Sequence, residues 1–351
     1  GSNLAEPIVK FGEIPTQDVL GAILAHSMEA SKRPYDTQFS YRVPKGTVLT
    51  QSHIDDLEQE GHKTLVVAQL AEDDVEENQA AQTLAHAFTP DAETLGLRVS
   101  AAGAGRVNLY AMHCGVAVLD VDAIHAVNAV DPMITVATVA PFHRCDADTM
   151  IATIKIIAYG VPKQALADAC VKAAQAIRVI APQYASATLI ETQVGRKEPA
   201  DKGRKALFGR LQRMGMILDE RQITPHSTEP LFTAIKEAAG EVIFILTDSA
   251  TSDLMDVGPQ ALRKAGGHVI GFGMPVDPGN LLFFGYLGEK PVIGLPGCAR
   301  SPALNGADWV LERLICGIKL TQADISAMGV GGLLKEIPTR PQPRAAAVSK
   351  A

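Results

Sequence analysis

A chain of 351 residues, 47% of them hydrophobic and 20% charged, is long enough for two domains, and a single core is not expected. A formal net charge of -7 excludes a general polyanion binder, because neutralising a phosphate backbone needs a basic face, so nucleic acid is not an expected partner. The five cysteines (Cys114, Cys145, Cys170, Cys298, Cys316) form no CxxC pair, and no uninterrupted apolar run of about 18 residues occurs. Neither a disulfide framework, a thiolate zinc site nor a membrane span is therefore expected, and a reduced, cytoplasmic protein is the default.

The first expected helix runs from about Ser52 to Gln59, with Ser52 as N-cap and Gly61 as stop, followed by a strand at Leu65–Ala68. "EDDVEENQAAQTLAHAF" starts acidic and continues with Ala and Leu at helical spacing. From Val107 to Ile157, short β-branched runs such as "ITVATVA" and "MIATIKIIAYG" predict strands, and a helix is expected at 163–178. The first part, 3–178, reads as a mixed α+β, β-rich region.

From 179 to 322 the pattern becomes strand, helix, strand, helix, ending in "SPALNGADWVLERLICG". The strand in "EVIFILTD" has a wholly apolar run, VIFIL, as a strand covered on both faces must. The fold class expected here is α/β, a mostly parallel three-layer α/β/α sheet, and in such sheets ligands bind at the carboxyl ends of the strands. The remainder, 323–351, carries Gly-Val-Gly-Gly and then three prolines within six residues, and reads as a linker or tail.

Three turns fall at the expected strand ends: "LTDSATSDLMDV", "DPGN" and "LPGCARS". Any one of them is accounted for as a chain reversal. Three at one sheet edge point to a site, because strand-to-helix turns offer backbone N–H groups and helix starts to an anion. Ser249, Thr251, Ser252 and Ser301 add short donors, and Arg300 supplies a fork for phosphate or carboxylate. Asp248 and Asp256 suit a magnesium ion or the orienting of a nucleophile, and Asp256 equally suits a helix cap. Together these are the parts of a pocket for a phosphorylated small molecule.

On these three turns, in this order and spacing across about 185–318, the sequence resembles the molybdenum-cofactor biosynthesis domain shared by molybdopterin adenylyltransferases and molybdenumtransferases. "LTDSATSDLMDV" stands where that family has a T-x-G-G turn followed by an acidic residue, "DPGNLLFFG" where it has P-G-x-P, and "LPGCARSP" where it has L-P-G-N-P-x-S. Asp248 and Ser249 occupy the two glycine places, Asn280 stands where lysine is usual, and Cys298-Ala299 replaces Asn-Pro. Over nearly the whole length, through "KGTVL", "AGRVNLYA" and "ATIKII", the chain is similar to bacterial molybdopterin-binding proteins often fused to a cytidylyltransferase-type module.

The resemblance implies a molybdopterin or molybdenum-cofactor ligand, held as by a carrier or binding module. It implies, as the alternative, a magnesium-dependent transferase that moves a nucleotidyl group or inserts molybdate. Partners implied are a nucleotidyltransferase module or molybdoenzyme and further copies of the chain. The expected binding residues are Asp248, Ser249, Thr251 and Ser252 for the pterin phosphate, with Pro278, Gly279, Asn280, Pro296, Gly297, Cys298, Arg300 and Ser301 clamping the rest and Asp256 as catalytic group and metal ligand. The Cys298 thiol is either close to the dithiolene or a small buried hydrophobe. Arg106 and Asn108 form a second patch or a satisfied turn, Lys155 is aimed into a cleft, and the basic run from Arg196 to Arg213 is a solvated face or a phosphate contact.

Overall fold

Short apolar strands separated by amphipathic helices pair in parallel, because a helical crossover returns the chain to the same end of the sheet. The computed structural model, which describes residues 9–335, resolves into two units. The first comprises the chain up to Met112 with Ala117–His143 and Ala147–Val179, and the second His113–Val116, Arg144–Asp146 and the chain from Ile180.

In the first unit the antiparallel strands Lys10–Pro15 and Thr64–Gln69 share a core with Val19, Leu49, Ile54 and Leu57. The helix expected from Ser52 spans Gln51–Gln59 and is capped by Thr50, whose side chain exchanges hydrogen bonds with His53. A separate antiparallel sheet orders Ile134–Thr138, Met150–Ile156, Arg106–Ala111 and Leu97–Val99. Along Arg106–Ala111 every second residue is buried, so one face of this sheet is core. The other carries a polar ladder in which Arg106 donates to Thr153, Thr153 to Asn108 and Asn108 to the Tyr110 hydroxyl. The helix expected over 163–178 ends at Ala173, because Gln175 takes a positive φ and the chain re-enters a strand at Ile177–Ile180.

The second unit holds strands β1 (Ser186–Gln193), β2 (Ile217–Leu218), β3 (Gln222–Pro225), β4 (Val242–Leu246), β5 (His268–Phe272), β6 (Phe283–Leu287) and β7 (Lys290–Gly294). Its helices are α1 (Lys202–Arg213), α2 (Thr228–Glu237), α3 (Val257–Lys264), α4 (Gly306–Ile315) and α5 (Gln322–Ser326). The sheet runs β2-β1-β4-β7-β6-β5, with β3 also on β1. β1, β2, β3, β4 and β7 are mutually parallel. β6 is antiparallel to both β7 and β5, because neither the turn at Gly288 nor the 273–282 connection is long enough for a helical crossover. Every residue of β4 is buried. Ile243 and Ile245 share a core with Leu231 and Ile235 of α2 and Ala261 and Leu262 of α3.

Because β5 and β7 point the same way, the β5–β6 connection at 273–282 falls at the same edge as the carboxyl ends of β4 and β7. All three turns singled out in the sequence thus lie along one edge of one sheet. Part of the stretch expected as a tail is ordered: Leu334 is buried, its N–H donates to the Asp277 carbonyl, and Lys335 pairs with Asp277 at 2.7 Å. The proline-rich remainder from 336 lies outside the described residues.

Candidate functional site

The first turn leaves β4 at Thr247. Neither Asp248 nor Ser249 takes a positive φ, so the two residues standing in place of glycines cause no backbone strain. Asp248 is instead a tie: its N–H donates to Thr192 Oγ1 at 3.0 Å, and its Oδ2 accepts the Val194 N–H at 3.0 Å. The Thr247 hydroxyl donates to the Ser249 carbonyl. Immediately after, the N–H groups of Ser249, Ala250 and Thr251 have no acceptor among the described residues. Three consecutive N–H groups without a protein acceptor at the end of a central strand are available to an anion.

Asp256 is the N-cap of α3. Its Oδ1 accepts the Val257 N–H at 2.8 Å and its Oδ2 the Ser252 N–H at 3.1 Å. Both oxygens therefore hold the turn against the helix start, and among the described residues no three His, Cys, Asp or Glu side chains gather as a metal site. Cap geometry thus gives this carboxylate a structural role.

The second turn is seated on the start of α4, and the third is tied to the first. Gly279 sits at φ +132, and a Cβ there would meet the Gly306 nitrogen at 2.7 Å. The Gly306 N–H donates to the Pro278 carbonyl at 2.8 Å. The close backbone approach that this Pro-Gly turn permits is thus to the start of α4. Asn280 is exposed and closes its own loop, with its carbonyl accepting the Met274 N–H and its amide donating to the Met274 carbonyl at 3.2 Å. Arg300 donates from Nη2 to the Thr247 carbonyl at 2.7 Å and from Nη1 towards the Gly297 carbonyl at 3.4 Å, stitching the third turn to the first. Pro296 is buried, while Gly297, Cys298 and Ser301 are exposed. The exposure of Cys298 excludes the buried-hydrophobe reading.

Beneath the third turn lies a buried ion pair whose arginine belongs to the basic run read in the sequence as a solvated face or a phosphate contact. Arg210 of α1, 3% exposed, donates from Nε to Asp308 Oδ1 at 2.6 Å, and to the carbonyls of Ala299, Ser301 and Ala303. Asp308 in turn takes the Asn305 N–H, completing the cap of α4. At the neighbouring strand end, Arg221 pairs with buried Glu191 and also donates to the Pro199 carbonyl, fixing the loop after β1. The tie between Thr192 and His226 Nδ1, at 2.8 Å, also went unread. No sequence signal marks such pairs, because their members lie 30 to 98 residues apart.

Elsewhere, Lys155 donates to the Ala104 carbonyl and Arg106 belongs to the polar ladder, so both are engaged within the first unit. Cys145 is buried, and burial pushes its thiol up to about 11.

No family model matches the sequence, and a search of curated proteins finds no match. Among solved structures, a molybdopterin biosynthesis MoeA protein from Pyrococcus horikoshii is 13% identical over 90% of this chain and 75% of its own, with a TM-score of 0.28. A molybdenum cofactor biosynthesis protein B is 16% identical over 39% of this chain and 92% of its own, with a TM-score of 0.27. A second MoeA structure, from Pyrococcus horikoshii OT3, is 11% identical over 88% and 75%, at 0.22. At these values the superpositions are too loose to transfer any residue's role.

Proposed function

We propose that the chain binds molybdopterin or its molybdenum-loaded form at the carboxyl edge of the second unit's sheet, as a carrier or binding module in the making of the cofactor. The observation that carries this reading is the row of unspent N–H groups at Ser249, Ala250 and Thr251, with Arg300 anchored on the preceding Thr247 carbonyl. Such a row suits the pterin's phosphate, and a guanidinium beside it adds charge. The exposed Ser252, Cys298 and Ser301 and the loop of Asn280 line the same edge and would bound the rest of the ligand. The motif order in the three turns supplies the ligand's identity.

Binding without turnover is favoured over the transferase alternative by what Asp256 does. A carboxylate whose two oxygens each accept a backbone N–H has a structural role that accounts for it without chemistry. Purified chain and molybdopterin, passed together over gel filtration and followed by the fluorescence of the oxidised pterin, test the reading. Stoichiometric co-elution is expected for the wild type, with affinity weakened roughly tenfold or more in Arg300→Ala, the range of a charge-assisted contact. No co-elution, or equal affinity in a folded Arg300→Ala, would remove the site. Adding magnesium and nucleoside triphosphate to the same sample tests the alternative, for which turnover is the required result.

A further inference from the structure

The second turn is held from two sides. On one, the Pro278 carbonyl accepts the Gly306 N–H at 2.8 Å. On the other, Asp277 is fastened to the segment that follows α5 through its N–H, its carbonyl and its carboxylate. The N–H donates to the Gly332 carbonyl at 2.9 Å, the carbonyl accepts the Leu334 N–H at 2.9 Å, and Oδ2 pairs with Lys335 Nζ at 2.7 Å. The two backbone bonds flank Leu333 and make a single parallel bridge with Asp277. Leu334 is the anchor, at 2% exposure, while Leu333 before it is exposed and Lys335 after it half-exposed. That alternation is the pattern of a strand lying with one face on the molecule. The stretch Gly329-Val330-Gly331-Gly332, which composition alone reads as a linker, is the turn that aims it. Gly331 sits at φ +86, and the Gly332 N–H donates to the Gly329 carbonyl at 3.0 Å. A Cβ on Gly332 would meet the carbonyl oxygens of Pro275 at 2.5 Å and Met328 at 2.7 Å. Both contacts are with backbone, which cannot swing aside, so glycine alone lets the chain pass this close to the second turn.

We propose that residues 329–335 are a releasable strap that sets the position of the second turn, giving this part of the sheet edge a strapped and an unstrapped state. One buried leucine, two backbone hydrogen bonds and one half-exposed ion pair are few enough contacts for the segment to open while the sheet stays folded. Opening frees Asp277, the residue before Pro278, and leaves the turn held from the α4 side alone. Such a device couples in both directions. A ligand that prefers the strapped turn holds the strap down, and a strap held down raises that ligand's affinity by the same factor. The strap itself does not depend on what the edge binds, whereas its coupling to a ligand rests on the pterin reading.

Amide hydrogen exchange on the full chain, without ligand, tests the strap. Gly332→Ala acts on the strap and leaves every residue of the second turn unaltered. Exchange at 273–282 is expected to quicken about fivefold or more, most at the Asp277 amide, while β4 exchanges at the wild-type rate. Leu334→Ser removes the anchor and is expected to give the same pattern by a second route. Lys335→Ala, which removes only the half-exposed ion pair, is expected to change the rate less than about twofold. Wild-type exchange at 273–282 in both Gly332→Ala and Leu334→Ser overturns the proposal. Exchange that quickens equally in β4 also overturns it, because the segment would then be part of the core. In the co-elution assay, Gly332→Ala is expected to weaken molybdopterin binding about threefold or more. Unchanged affinity, with 273–282 exchanging faster, overturns the coupling alone. Absence of binding by the wild type overturns the coupling together with the ligand reading, while the strap stands or falls on the exchange rates.

Discussion

At the scale of single residues, the edge of the sheet is built from side chains whose polar atoms bond neighbouring backbone, while the main-chain N–H groups of Ser249, Ala250 and Thr251 have no acceptor among the described residues. Asp256 shows the consequence most simply. Removing its cap in Asp256→Ala should cost about 1 kcal/mol, whereas Asp256→Asn should cost only a fraction of that, because an amide oxygen still caps α3. Urea denaturation of the two variants measures the difference, and equal losses would deny the capping role. The sequence marked Asp256 as important but not why, since a carboxylate one residue before a helix reads the same whether it caps the helix or binds a cation. The sequence offered Arg300 as a fork for an anion; its anchoring on Thr247 was not legible, because a partner 53 residues away leaves no local pattern. Asp248 and Ser249 looked like a loss of backbone freedom. Neither takes a positive φ, and Asp248 ties the turn to Val194, so no backbone freedom is missing there.

At the scale of elements, what the sequence made plain was periodicity and punctuation. A wholly apolar strand at 242–246 and an Asp before the 257–264 helix are local signals, and both elements form. Helix starts were misplaced by a residue or two where several capping residues compete, as with Thr50 and Ser52. Charge was the least reliable guide, since Arg210 lies in a basic run yet is buried. In Arg210→Ala, Asp308 would be left as an uncompensated buried charge and three carbonyls would lose their donor. Thermal unfolding should show a loss of about 3–5 kcal/mol. A loss below 1 kcal/mol would mean that α1 does not hold the third turn. Gly279→Ala should cost about 1–3 kcal/mol by forcing the second turn off the start of α4. That variant should also weaken pterin binding, because that contact places the second turn. Stability and affinity both unchanged in Gly279→Ala would contradict this placement.

At the scale of the whole molecule, stability should carry a specific pH signature. Burial, reinforced by Asp308, pushes the Glu312 carboxyl up to about 8, against the downward pull of Arg144, Arg313 and Arg213. The folded chain therefore retains a proton that the unfolded chain releases near the ordinary carboxylate value. This contribution is fully present below about pH 4.5 and is lost as pH rises towards 8. The loss should be on the order of 2–5 kcal/mol, and Glu312→Gln should flatten that part of the curve. Parallel pH curves for the two proteins would contradict it. The same molecule answers why two Pro-Gly turns lie so close in sequence: they bracket the β6–β7 hairpin, whose antiparallel return delivers both to one edge. That edge is the central claim, and amide hydrogen exchange with and without molybdopterin tests it most directly. The account predicts slowed exchange at 248–252, 278–280 and 297–301, with the unspent N–H groups of Ser249, Ala250 and Thr251 most affected. Protection confined to other segments, with the pterin bound, would place the ligand elsewhere and contradict the account.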